Sequence, residues 1–149
     1  MRRLVLPLLM VLSLGGCGWA GRHDETSKPD GFLLHGYVSV AGAAGGATGS
    51  ACLAPASVPD IVAGGTVRVA DTEGHVIAAT QLAAGVLAPD GAGYDCNFAF
   101  ELANLSGSRA TYLVMVGTRP AASFPTKELR EGRPAVIPVE AATASSSPS

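Results

Sequence analysis

DCNFAFEL, residues 95–102, is the stretch on which the fold turns. It alternates strictly, with Cys96, Phe98, Phe100 and Leu102 on one side of an extended chain and Asp95, Asn97, Ala99 and Glu101 on the other. Successive side chains of a strand point to opposite faces, so the pattern predicts a strand with one face in a core and the other toward water. Its cysteine is then expected beside two core phenylalanines.

Short apolar runs punctuated by Gly, Pro, Asn and Asp extend on both sides of this stretch, the pattern of an all-β sandwich or barrel. Upstream, FLLHGYVSV (residues 32–40) puts Phe32, Leu34, Val38 and Val40 on one face, and TVRVA (66–70) turns Val67 and Val69 inward and Arg68 outward. DTEG (71–74) is expected to form a tight turn into HVIAATQL (75–82), because Asp starts turns and Gly tolerates positive φ. Downstream, ANLSGSR (103–109) has the composition of a loop. PTKELREG (125–132) predicts a short helical turn capped by Thr126. PAVIPVE (134–140) suits a last edge strand, since Pro134 and Pro138 cannot donate to a ladder. AGAAGGATGSA (41–51) lacks the GK[ST] ending of a nucleotide loop and is expected to be a flexible connector.

The beginning of the chain speaks to location. MRR followed by LVLPLLMVLSL (4–14) is a short positive region before an apolar run of secretory-signal length, too short to span a bilayer. It ends in LGGC (14–17), which resembles the lipobox of bacterial lipoproteins. That resemblance implies a diacylglyceryl group on Cys17, cleavage after Gly16, and membrane anchoring by two or three acyl chains, where one alone is marginal. The competing reading is an ordinary signal peptide with a chance cysteine. Residues 18–30 are polar and aperiodic, as a tether is, and residues 141–149 are small and polar, as a disordered tail is. Residues 31–140 remain for one domain.

Removing residues 1–16 takes Arg2 and Arg3 from the ten Lys and Arg, leaving eight against twelve Asp and Glu and a net charge of −4. Nucleic acid is therefore not an expected partner, since phosphate neutralisation needs clustered Lys and Arg. With Cys17 assigned to lipid, Cys52 and Cys96 are left for an oxidising compartment, and pairing is expected. The rival is metal ligation, but neither has a Cys or His at matched spacing.

Cys52, residues 64–69, 71–74 and 96–100, and the FPTKEL run at 124–129 together resemble a group of small secreted actinobacterial lipoproteins of uncharacterised function. The resemblance covers most of the domain and rests on structural residues. It implies an immunoglobulin-like or transthyretin-like antiparallel sandwich with one disulfide, and carries no activity across.

Chemistry is hard to find in the chain. His23, His35 and His75 have no partner nearby in sequence, and Ser57 lacks the G-x-S-x-G context of a nucleophile elbow. No catalytic residue, metal ligand or cofactor is assigned. Asp60, Asp71, Glu73, Asp90 and Asp95 flank strands, where turn chemistry explains them more simply than Ca²⁺ binding. TYLVMVG (111–117) is apolar on both faces, so Leu113 and Met115 are expected either beneath the segment 124–139 or in an exposed patch open to a partner. The expected function is that of a membrane-anchored, non-catalytic extracytoplasmic lipoprotein binding a protein or other envelope component. The alternative is a small-molecule or lipid carrier with an apolar cavity; a hydrolase comes third.

Overall fold

The computed structural model describes residues 30–91 and 93–141; the expected signal segment, Cys17, the tether with His23, and the tail from residue 142 lie outside them. Nine strands and one short helix follow in order: β1 (Gly31–Ala41), β2 (Ala51–Cys52), β3 (Thr66–Ala70), β4 (Val76–Gln81), β5 (Gly85–Asp90), β6 (Gly93–Ser106), β7 (Thr111–Val116), β8 (Ala122–Pro125), α1 (Thr126–Arg130) and β9 (Ala135–Val139). They form a five-stranded sheet in the order β2-β5-β6-β1-β9 and a four-stranded sheet in the order β4-β3-β7-β8. Every pairing is antiparallel except that of β1 with β9.

The chain is thus an all-β sandwich. An immunoglobulin sandwich sets its first strand beside its second, whereas here β1 lies between β6 and β9.

Alternation accounts for the core. Leu34, Val38 and Val40 of β1, Val67 and Val69 of β3, Cys96, Phe98 and Phe100 of β6, and Tyr112, Val114 and Val116 of β7 all face inward and are buried. Tyr112, the largest fully buried side chain, donates its phenolic proton to the Ser106 carbonyl, which satisfies its one polar atom. Gly36 continues the inner row of β1 because no other residue fits there. A Cβ at that position would lie 2.3 Å from the Ala135 carbonyl oxygen and 2.6 Å from Phe100 Cζ.

Several local expectations change. Residues 103–106 belong to β6 and not to a loop. Asn104 takes φ 62°, and the register between β1 and β6 shifts at Phe32/Leu34, so the bulge absorbs one residue and pairing resumes at Phe32–Leu105. Thr126 does not cap α1: the extended residue before the helix is Pro125, which offers no side-chain acceptor, and Thr126 is the first helical residue. The glycine-rich stretch 41–51 is tied to the sandwich by bonds from Ala43 N to Tyr94 O (3.0 Å) and from Gly49 N to Leu87 O (2.8 Å). It is not a free connector. The last strand is an edge strand as expected, with Pro138 opposite Ser39.

Candidate functional site

Cys52 and Cys96 form the disulfide, with their Cα atoms 5.9 Å apart. Cys52 ends β2 opposite Gly85 of β5, and Cys96 lies in the core beside Phe98. From Cys52 the chain crosses to the four-stranded sheet through residues 53–65, folding as a series of turns closed by Val58 N to Pro55 O (2.9 Å), Ile61 N to Val58 O (3.2 Å) and Gly65 N to Val62 O (3.0 Å). Val58 and Ile61 are buried beneath this crossing and hold it to the core. On its outer side Arg119 donates twice to Asp60, Nε to Oδ2 at 2.6 Å and Nη2 to Oδ1 at 2.8 Å. Those bonds hold the Asp60 carboxyl below its ordinary pKa and raise Arg119.

Between the crossing and β5 opens a cleft of about 400 Å³. Its floor is Phe98, Gly85 and the disulfide, and its wall includes Leu53, Pro55, Ile61 and Val62. No residue lining it carries a charged or hydrogen-bonding side chain. Leu53 is 86% exposed and Val62 is 50% exposed, while Val86, on the neighbouring strand, is 45% exposed. Burying a leucine or valine side chain contributes about 1.5–3 kcal/mol, so this surface forgoes stabilisation that contact with an apolar partner recovers.

The expected partner surface behaves differently. Tyr112, Val114 and Val116 fill the inner face of β7, while Leu113 and Met115 are half-buried on its outer face. The segment 124–139 does not cover them: β8 lies beside β7 in the same sheet, and β9 is the edge of the other sheet. Their shielding comes from within the sheet, where Met115 sits opposite Arg68, whose Nη2 reaches the Gly117 carbonyl at 2.7 Å, and Leu113 sits between Ala70 and Ser123. Neither full coverage nor an open patch describes them.

Of the five acidic residues, Asp71 and Glu73 come together with His75, their ligand atoms within 4.8 Å of one another. The geometry is that of the predicted turn. Asp71 Oδ1 accepts from the amides of Glu73 (3.1 Å) and His75 (2.8 Å), and Oδ2 faces His75 Nδ1 at 3.4 Å and Arg109 Nη1 at 3.5 Å. Burial works to raise the Asp71 pKa, but the His75 amide, the His75 ring and Arg109 together hold it lowered. A cation here would displace a guanidinium already in place. Asp60, Asp90 and Asp95 join no such group among the described residues. Ser57 is exposed on the crossing, and His35 is half-buried on β1 opposite Glu101.

Sequence reasoning passed over the cleft. Its one signal was that Ser57 and Asp60 are the only polar residues between Ala51 and Ala63. No family model, no curated protein and no solved structure matches the chain.

Proposed function

We propose that the protein is a lipid-anchored, non-catalytic extracytoplasmic binding domain that engages an apolar group of an envelope component through the cleft beside the disulfide. The observation that carries this reading is the cleft itself: about 400 Å³, walled without a polar side chain, with Leu53 exposed at its mouth. The disulfide, the buried pair Val58 and Ile61, and the Asp60–Arg119 bridge hold the crossing in place before any partner arrives. Such preorganisation lowers the ordering cost of binding. The LGGC motif and the polar residues 18–30 support display on a tether from the membrane through Cys17.

A carrier of small molecules or lipids is the second reading, because the cleft reaches the roughly 300 Å³ at which ligand pockets begin. Such sites add a few convergent polar groups that orient the ligand, and this wall offers none. Capture of an apolar side chain or tail presented by a larger partner therefore fits better.

Two measurements test the proposal. The wild type should partition into detergent and Cys17→Ser into the aqueous phase; an aqueous wild type would reject the anchor. Crosslinking in the native envelope should yield an adduct that Leu53→Asp and Val62→Asp abolish without lowering Tm. An adduct undiminished in both variants would reject the cleft.

A further inference from the structure

We propose that the free edge of β4 is a pairing surface for a second copy of this chain, the two β4 strands meeting antiparallel about a two-fold axis so that the four-stranded sheets of both copies run on as one.

Among the described residues the two sheets end on four edge strands, β2 and β9 in one, β4 and β8 in the other. An uncovered edge presents unpaired N–H and C=O groups to any other strand, and folded chains blunt such edges with shortness, proline, charge or a bulge. Three of the four are blunted in that way. β2 pairs through two residues, β8 has four and ends in Pro125, and β9 carries Pro138 behind Pro134. The half of β6 beyond Phe98, which β5 leaves uncovered, contains Glu101 and the bulge at Asn104. β4, VIAATQ, has six residues with neither charge nor proline, and its one irregularity, at Ile77, lies near its start.

The bonds around β4 fix which backbone groups are free. Leu82 N donates to Gly65 O at 2.9 Å and Leu82 O accepts from Gly64 N at 2.8 Å, so at Leu82 the polar groups face the β3 side. Along an antiparallel strand these directions alternate. Thr80 and Ala78 therefore bond Val67 and Val69, with which they are in register, and the N–H and C=O of Ala79 and Gln81 point away from β3. Gly117 N, which bonds Thr66 O at 3.0 Å from the β7 side, sets the same phase on β3.

A second copy is the occupant the residues favour. A two-fold axis sets β4 against itself, so any charge on it would face its like. VIAATQ has none. Val76 is 50% and Ile77 39% exposed, and pairing brings both copies of this apolar end to the contact. Addition of a foreign peptide draws its specificity from pockets for alternate side chains. The groove against Ala99, Phe100 and Glu101 reaches β4 only at Thr80 and Gln81. A single strand pair is small for an interface, so the expected dissociation constant is micromolar. No β4 residue lines the apolar cleft. A pair then carries two clefts, a bivalent arrangement whose value rests on the function proposed above.

Sedimentation equilibrium of the protein in density-matched neutral detergent, with micelles in excess, tests the pairing. The wild type should pass from monomer to dimer across the micromolar range. Ala79→Pro removes an N–H that β3 does not use, and Ile77→Lys sets two exposed cations near the axis. Each should weaken association about tenfold or more while leaving the Tm of the dilute monomer little changed. A wild type that stays monomeric would overturn the proposal, as would folded Ala79→Pro and Ile77→Lys proteins that both pair like the wild type; should Ala79→Pro fail to fold, Ile77→Lys alone decides. In the native envelope, Ala79→Cys with a short thiol crosslinker should give a homodimer that Glu128→Cys, exposed on α1, does not. Adducts of Ala79→Cys with another protein in place of the homodimer would assign the edge to a foreign strand and reject the second copy. None of these outcomes touches the cleft reading, which Leu53→Asp and Val62→Asp test separately.

Discussion

A methyl group at Gly85 would lie 2.6 Å from both Cys96 Sγ and the Cys52 carbonyl oxygen, and 2.9 Å from Phe98 Cζ. The glycine is what lets β5 pass directly over the disulfide, and the floor of the apolar cleft depends on that approach. Gly85→Ala should therefore lower stability by about 1–3 kcal/mol through overpacking, measured by denaturant unfolding. Asp71 gives a residue-scale prediction of a different kind. Its pKa in the folded chain lies below the ordinary 3.8. The unfolded chain thus binds the proton first, so the contribution of Asp71 to stability is complete above that value and is lost as pH falls through the folded value. Asp71→Asn keeps an acceptor for the Glu73 and His75 amides but cannot titrate. Its Tm should fall less steeply than that of the wild type between about pH 5 and about pH 2.5; identical slopes would assign the acid sensitivity to other groups.

At the scale of elements, strands with large alternating side chains were legible on their own, while a strand of mostly small side chains was legible only where a turn announced it, as DTEG does ahead of β4. β6, β1, β3 and β7 announce themselves through Phe, Val, Leu and Tyr at every second position. β5 alternates too, with Gly85 and Leu87 inward, but GVLAPD offers only one large inward side chain and ends near Pro89. β2 pairs through two residues and β8 through four, too short for any period to show. Asn104 hides the end of β6, because its left-handed conformation lets a turn-like sequence continue as a strand. The helix is a case of right existence and wrong cap: α1 has no side-chain cap and is held by Leu129, which is buried in the core. Leu129→Ala should cost about 2–5 kcal/mol and release the 126–130 turn, visible as faster amide exchange at Glu131 and Gly132, whose N–H groups bond Lys127 and Leu129.

Across the whole molecule the disulfide joins the edge of the five-stranded sheet to its centre, closing 44 residues. In the chain-entropy model a loop of that size stabilises the fold by about 4 kcal/mol. A Cys52→Ser, Cys96→Ser protein should lose roughly that much in chemical denaturation while keeping a β-rich circular dichroism spectrum, since the inward faces of β1, β3 and β7 are untouched. The pairing itself was legible because two cysteines remained once Cys17 was set aside. The cleft was not, because the exposure of Leu53 and Val62 depends on where residues 53–65 cross between sheets, and no local pattern encodes that path. The same gap explains why the apolar outer side of β7 drew attention first: Leu113 and Met115 are conspicuous in sequence, yet Arg68 and the adjoining strands shield them. The central claim is that binding occurs at the cleft, and photo-crosslinking in the native envelope tests it most directly, with the crosslinker placed at residue 53 in one protein and at residue 115 in another. A discrete adduct from position 53, absent from position 115, is the predicted result; an adduct from position 115 with none from position 53 would contradict it.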